Sequence, residues 1–110
     1  MNLAEELSSK FDIDEMFEKG RGAANFLKAM AHEGRLMILC HLVMGEKSVT
    51  ELENLLSSRQ AAVSQQLARL RIEGIVSFRR DGKAIYYSIK DEKVLKLVSL
   101  SYEEFCVKDN

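Results

Sequence analysis

The 110-residue chain contains no proline, no tryptophan, only two cysteines, and no apolar run near the roughly 18 residues of a membrane span. Without proline, repeats or low-complexity tracts, nothing marks a linker, and the length suits one domain, small enough to profit from pairing with a second copy. The first twenty residues, MNLAEELSSKFDIDEMFEKG, lack a cationic start and an apolar core, so no secretory signal is read there. A cytoplasmic, non-membrane setting is expected, in which Cys40 and Cys106, 66 positions apart, rest reduced instead of forming a standing crosslink. With 30% charged and 46% hydrophobic residues the composition is that of an ordinary soluble globular protein, and a formal charge of -1 names no partner.

The distribution of charge is more informative. Residues 1–58 carry 6 Lys and Arg against 10 Asp and Glu, a balance of -4, and residues 84–110 carry 4 against 5. Residues 59–83 hold Arg59, Arg69, Arg71, Arg79, Arg80 and Lys83 against Glu73 and Asp81, a balance of +4. One segment is basic within an otherwise acidic chain.

Periodicity orders the elements. Residues 1–14 show no sustained pattern, and residues 1–16 are expected to form an N-terminal extension to a domain at 17–110. Phe17, Ala23, Ala24, Phe26, Leu27, Met30 and Ala31 suggest an apolar helix face interrupted near Gly20 and Gly22. A second helix is predicted from about Glu33 to Met44, with Leu36, Leu39, Cys40 and Val43 as its apolar stripe and Gly45 as its cap. KSVTELENLLSSRQAAVSQQLARLRIEG holds two short helical patterns broken at Ser57 and Ser58 and stopped at Gly74, and helices joined by so short a turn cross steeply. IVSFRRDGKAIYYSI then becomes β-branched and aromatic, with Asp81-Gly82 as the tight turn of a two-stranded hairpin. The last segment returns to helix, with Val94, Leu97, Val98, Ser101, Tyr102 and Phe105 on one face and Cys106 close to it. This order, mainly α with a β-hairpin wing (α+β), is that of a winged helix-turn-helix.

Within RQAAVSQQLARLR, the spacing sends Val63, Leu67 and Leu70 to the core and turns Ala61, Ala62, Ser64, Gln65, Ala68 and Arg69 outward, with Gln60 at the leading end. Such a face suits the major groove of DNA: alanines permit close approach, Ser and Gln bond base edges or phosphates, and Arg binds guanine or phosphate. Arg79, Arg80 and Lys83 surround the hairpin turn, where cations meet the phosphate backbone or an adjoining minor groove. Taken singly, each piece also fits a solvated helix face or a hairpin charged for solubility. Their combination, in this order and with this short turn, is what favours DNA reading.

Over about residues 17–106, the words FLKAMAHEGRLMIL, SVTELENLLSSRQAAVSQQLARLRIEGIV and RRDGKAIYYSI resemble the bacterial ArsR/SmtB repressors. The resemblance implies a homodimer held by the first and last helices, with paired reading heads on double-stranded operator DNA, an imperfect palindrome whose half-sites lie about one turn apart. It also implies release of the DNA when an inducer is sensed. One departure is AHEG before Arg35, where many relatives carry an Asn or Asp cap.

Metal-sensing members of that family carry a Cys-x-Cys cluster in the first helix of the helix-turn-helix, or Asp and His in the last helix. Here TELENLLS has no cysteine and the only histidines are His32 and His41, so neither a metal nor another cofactor is expected. Cys40, His41 and Cys106 assembled across a dimer would suit a tetrahedral site poorly, because adjacent helical residues point about 100° apart. The pair Cys40 and Cys106, in RLMILC and SYEEFC, resembles the sulfide-responsive subgroup that detects persulfides and other reactive sulfur species. That resemblance implies a reduced dithiol form that binds DNA, and an oxidised form in which the two cysteines are joined by a disulfide or polysulfide and the reading heads are displaced. On periodicity alone, Cys40 is a small hydrophobe filling an apolar stripe.

Two other functions fit the same residues. One is a winged-helix regulator with structural cysteines and a different inducer; another is a protein-interaction module whose basic segment meets an acidic partner. A thiol oxidoreductase fits less well, since there is no Cys-x-x-Cys and no acid-base constellation, and no enzymatic activity is expected.

Overall fold

The computed structural model describes residues 2–5, 12–56 and 60–107, except for the side chains of Gln60 and Ala61. The chain divides into two units, Met1–Ala31 and His32–Asn110.

The first unit is built on α1, Ile13–Met30. Asp12 caps it, its carboxylate accepting from the Glu15 amide at 2.7 Å, and Asp14 and Glu15 add negative charge where the helix dipole is positive. The helix runs unbroken through Gly20 and Gly22, contrary to the expected interruption, and includes residues 13–16 that periodicity left in the extension. Two glycines cost about 1 kcal/mol each relative to alanine, which an 18-residue capped helix can absorb.

In the second unit, α2 spans Glu33–Val43. In place of an Asn or Asp cap, AHEG supplies its own His32, whose Nδ1 accepts from the Arg35 amide at 3.4 Å. The helix ends where Gly45, at φ 136°, bonds its amide to the Leu42 carbonyl at 3.1 Å. Its buried stripe is Ile38, Leu39 and Leu42, whereas Leu36, Cys40 and Val43 are half-buried. The expected stripe is thus rotated, because a helix apolar on nearly every side has no periodicity from which to choose a face.

A two-residue strand follows, β1 at Lys47–Ser48, which the sequence pattern did not announce. Ser48 doubles as the cap of α3, Val49–Leu56: its Oγ accepts from the Glu51 amide at 3.0 Å while Glu51 Oε1 accepts from the Ser48 amide at 2.8 Å. This reciprocal capping box satisfies two otherwise orphaned donors. Helix α4, Gln60–Ile72, ends at Gly74, φ 77°, in a Schellman arrangement. The Gly74 amide reaches the Arg71 carbonyl at 3.0 Å, and the Ile75 amide the Leu70 carbonyl at 2.9 Å.

Strands β2, Val76–Asp81, and β3, Ala84–Ile89, pair antiparallel. Asp81 pairs with Ala84, so the turn residues are Gly82, at φ 63°, and Lys83; the expected Asp81-Gly82 turn is shifted by one. With β1 on the far side of β3 the sheet has three strands, in the order β1-β3-β2, in place of the expected two. Asp91 then caps α5, Glu92–Tyr102, accepting from the Lys93 amide at 2.8 Å. A π-helical turn, Glu103–Val107, continues it.

Leu39, Leu52, Leu70 and Val94 are 0% exposed and join α2, α3, α4 and α5 in one core, closed by Val76 of β2. Each such side chain taken from water is worth about 1.5–3 kcal/mol. On α5 only Val94 and Val98 of the expected face are buried; Leu97, Ser101 and Tyr102 are half-buried. Phe105 is 80% exposed, because it lies in the wider π turn where α spacing no longer applies.

Candidate nucleic-acid interface and thiol pair

Burial of Val63, Leu67 and Leu70 fixes the rotation of α4 about its axis. The opposite face, Ala62, Ser64, Gln65, Ala68 and Arg69, is exposed as the spacing predicts. The side chains of Gln60 and Ala61, also assigned to that face, lie outside the described residues.

Beside this helix stands the hairpin. A cleft of about 490 Å³ separates them, lined by Ser48, Thr50, Ser64, Lys83 and Tyr87 among others. Lys83 at the hairpin turn and Ser64 on α4 therefore border one groove, and Thr50, absent from the sequence assignment, opens α3 into it. Its position two residues after the capping serine, in the first turn of α3, is the signal that would have found it.

Alternation along β2 separates two of the hairpin's cations, Arg79 and Arg80. Val76, Phe78 and Arg80 share one sheet face with their partners Ile89, Tyr87 and Ile85, and Arg79 shares the other with Tyr86. Phe78 packs near Tyr87, ring centroids 6.0 Å apart. The guanidinium of Arg71 on α4 lies 4.7 Å from the Phe78 ring, and that of Arg80 5.9 Å. One aromatic ring thus gathers a cation from the helix and a cation from the hairpin. Arg71 belongs to the basic segment, and its spacing of two from Arg69 keeps it off the outward face that the sequence pattern picks out.

Arg79 is differently placed. Its Nε and Nη2 donate to Oε2 and Oε1 of Glu46, each at 2.7 Å, its Nη1 lies 3.8 Å from Asp81, and its guanidinium stacks 4.7 Å over Tyr86. The hydrogen bonds from Arg79 hold the Glu46 carboxyl below the usual carboxylate range and raise Arg79 in turn. A second ion pair, Arg35 to Glu73 at 3.9 Å, joins α2 to the end of α4.

Cys40 and Cys106 are both free thiols, Cys40 half-buried on α2 and Cys106 exposed in the π turn that follows α5. Helices α2 and α5 pack on one another. Burial pushes the Cys40 thiol up, and the negative charge of an ionised Cys106 pushes it further. The two sulfurs, 66 positions apart in the chain, are therefore electrostatic neighbours in the fold. Among the described residues no three His, Cys, Asp or Glu side chains converge as a metal site, and no helix is long and apolar enough to cross a membrane.

Comparison with known proteins puts this geometry in context. The family described as "Bacterial regulatory protein, arsR family" matches residues 32–77, which run from the cap of α2 into β2. The "Biofilm growth-associated repressor" of Agrobacterium fabrum is 41% identical over 108 residues, covering 94% of this chain and 92% of the relative. Among solved structures, the transcriptional regulator HlyU of Vibrio vulnificus is 40% identical with a TM-score of 0.83, covering 87% of this chain and 100% of that one. The structure described as reduced HlyU of Vibrio cholerae is 38% identical with a TM-score of 0.80, covering 86% and 99%.

Proposed function

The chain belongs to the bacterial arsR family of regulatory proteins, DNA-binding transcriptional regulators and not enzymes, and from that premise we propose that it is a thiol-gated, homodimeric operator-binding repressor. Ala62, Ser64, Gln65 and Arg69, with Gln60 and Ala61 leading, enter the major groove of an imperfectly palindromic duplex. Arg80 and Lys83 meet its phosphates, and Arg79, held by Glu46, completes the wing. Apolar side chains left exposed on α1 (Ile13, Phe17 and Leu27) and on α5 (Leu95 and Leu100) support pairing through the first and last helices.

The observation that carries the gating is the relation of the two thiols: sheltered Cys40 sits on α2, exposed Cys106 sits in the π turn that continues α5, α5 packs on α2, and the charge of Cys106 is felt at Cys40. In the reducing cytoplasm both rest as thiols. A low-molecular-weight persulfide, RSSH, meets Cys106 first. The Cys106 thiolate attacks the outer sulfur, RS⁻ leaves and takes a proton, and Cys106 becomes a persulfide. Cys40, as thiolate, then attacks the Cys106 sulfur and expels HS⁻. The sum is two protein thiols plus RSSH giving a Cys40–Cys106 disulfide, RSH and H₂S; a second RSSH lengthens the bridge by one sulfur with release of a second RSH. Either bridge ties α2 to α5 and shifts the reading head from its groove.

The test is operator affinity of the reduced and glutathione persulfide-treated protein, run beside intact mass, for wild type, Cys40→Ser and Cys106→Ser. Wild type is expected to release DNA and to lose two hydrogens, with or without gained sulfur, while both variants hold DNA. Release by the variants equal to that of wild type would overturn the gating and favour structural cysteines with another inducer.

A further inference from the structure

Two adjacent arginines have opposite surroundings, and the one on the Tyr86 face spans the whole sheet. Arg79 starts on β2, crosses the Tyr86 ring of β3 at 4.7 Å, and ends in a two-bonded fork on Glu46, both bonds 2.7 Å, beside β1. Neighbouring strands lie about 4.8 Å apart, so the side chain bridges close to two strand spacings. Glu46 occupies the joint between Gly45, which ends α2, and Lys47, which begins β1. Simple surface ion pairs are worth little. A planar fork on a carboxylate, resting on a ring and approached by Asp81 at 3.8 Å, fixes direction as well as charge.

We propose that Glu46 and Arg79 are positioning residues for DNA binding: their pair fixes the wing against the end of α2, without Arg79 itself touching a phosphate. The regulatory part of this inference rests on the thiol reading above. Cys40 rides on the same α2, six residues before Glu46. A helix transmits displacement along its axis, so movement of α2 on linkage of Cys40 reaches Glu46. The fork then carries that movement to the hairpin bearing Arg80 and Lys83.

The test uses the full reduced chain and a duplex recovered from random-sequence DNA by selection on that reduced protein. Affinity is measured over a salt series for wild type, Glu46→Gln, Arg79→Gln, and the reversed pair Glu46→Arg with Arg79→Glu. Each single change is expected to weaken binding by about two- to thirtyfold, the span of coupling residues. The slope of log affinity against log salt stays that of wild type, and the reversed pair recovers most of the loss. Removal of a true phosphate contact would instead lower the slope by about one. That lower slope for Arg79→Gln, tighter binding by Glu46→Gln, unchanged affinity throughout, or a reversed pair as weak as the single variants would each overturn the positioning role. A second arm repeats the series after glutathione persulfide treatment. The ratio of reduced to treated affinity is expected to shrink in both single variants, and an unchanged ratio overturns transmission to the wing. A wild type that keeps its affinity on treatment overturns the thiol reading and the transmission together, while the reduced series still decides the positioning role.

Discussion

The two cysteines should react in a fixed order, and alkylation of the reduced protein exposes it. A thiol of pKa 9.0 is about 2.5% thiolate at about pH 7.4, and Cys40 lies above that pKa, so its reactive fraction is smaller still. Its half-burial slows access further, whereas Cys106 is exposed. With limiting iodoacetamide and peptide mapping by mass spectrometry, Cys106 should carry the first label in most molecules. The Cys40 rate should still be climbing as pH reaches 9, since a thiol below its pKa gains thiolate with each rise in pH. In Cys106→Ser that rise should begin at lower pH, because the neighbouring charge is gone. Linkage gives the matching statement for stability. With its folded pKa raised, the contribution of the neutral Cys40 thiol is full below the ordinary thiol range and is lost as pH climbs through the raised value. Early labelling of Cys40, or a rate that levels off below pH 9, would refute the assigned order of attack.

Three further outcomes follow from the fold. Leu39→Ala empties a fully buried site on α2 and should cost about 2–5 kcal/mol in urea unfolding. Ser48→Ala removes one half of the capping box and should cost about 0.5–2 kcal/mol by the same assay, with most of it recovered by Ser48→Thr. Arg69→Ala and Lys83→Ala should each weaken DNA binding and lower its salt slope by about one if they meet phosphates; an unchanged slope removes that residue from the phosphate-facing set.

What the sequence announced, it announced through periodicity and glycine. The outward face of α4 is legible because Val63, Leu67 and Leu70 are its only large apolar residues at helical spacing before Ile72, and Gly74 marks its stop. The face of α2 is not legible, because EGRLMILCHLV offers apolar side chains in every direction and only packing selects Ile38, Leu39 and Leu42. Strand β1 is two residues long, too short for alternation to register, and owes its existence to pairing with Tyr86 and Tyr87. Arg79 and Arg80 look equivalent as a dipeptide. Their division depends on strand register and on Glu46, 33 positions away in the chain.

The π-helical turn at Glu103–Val107 has a consequence for lineages as well as for this molecule. A π turn accommodates one residue more than α geometry needs, and an added residue rotates what lies beyond it by about 100° about the axis. Cys106 therefore owes its azimuth to that surplus residue as much as to its own identity. A descendant that deleted one position between Tyr102 and Cys106 would still display both cysteines in an alignment, yet would turn the second about the helix axis relative to the first. Under the proposed gating, retention of two cysteines is thus an insufficient marker of the switch; the number of residues in the turn before the second must be retained with them.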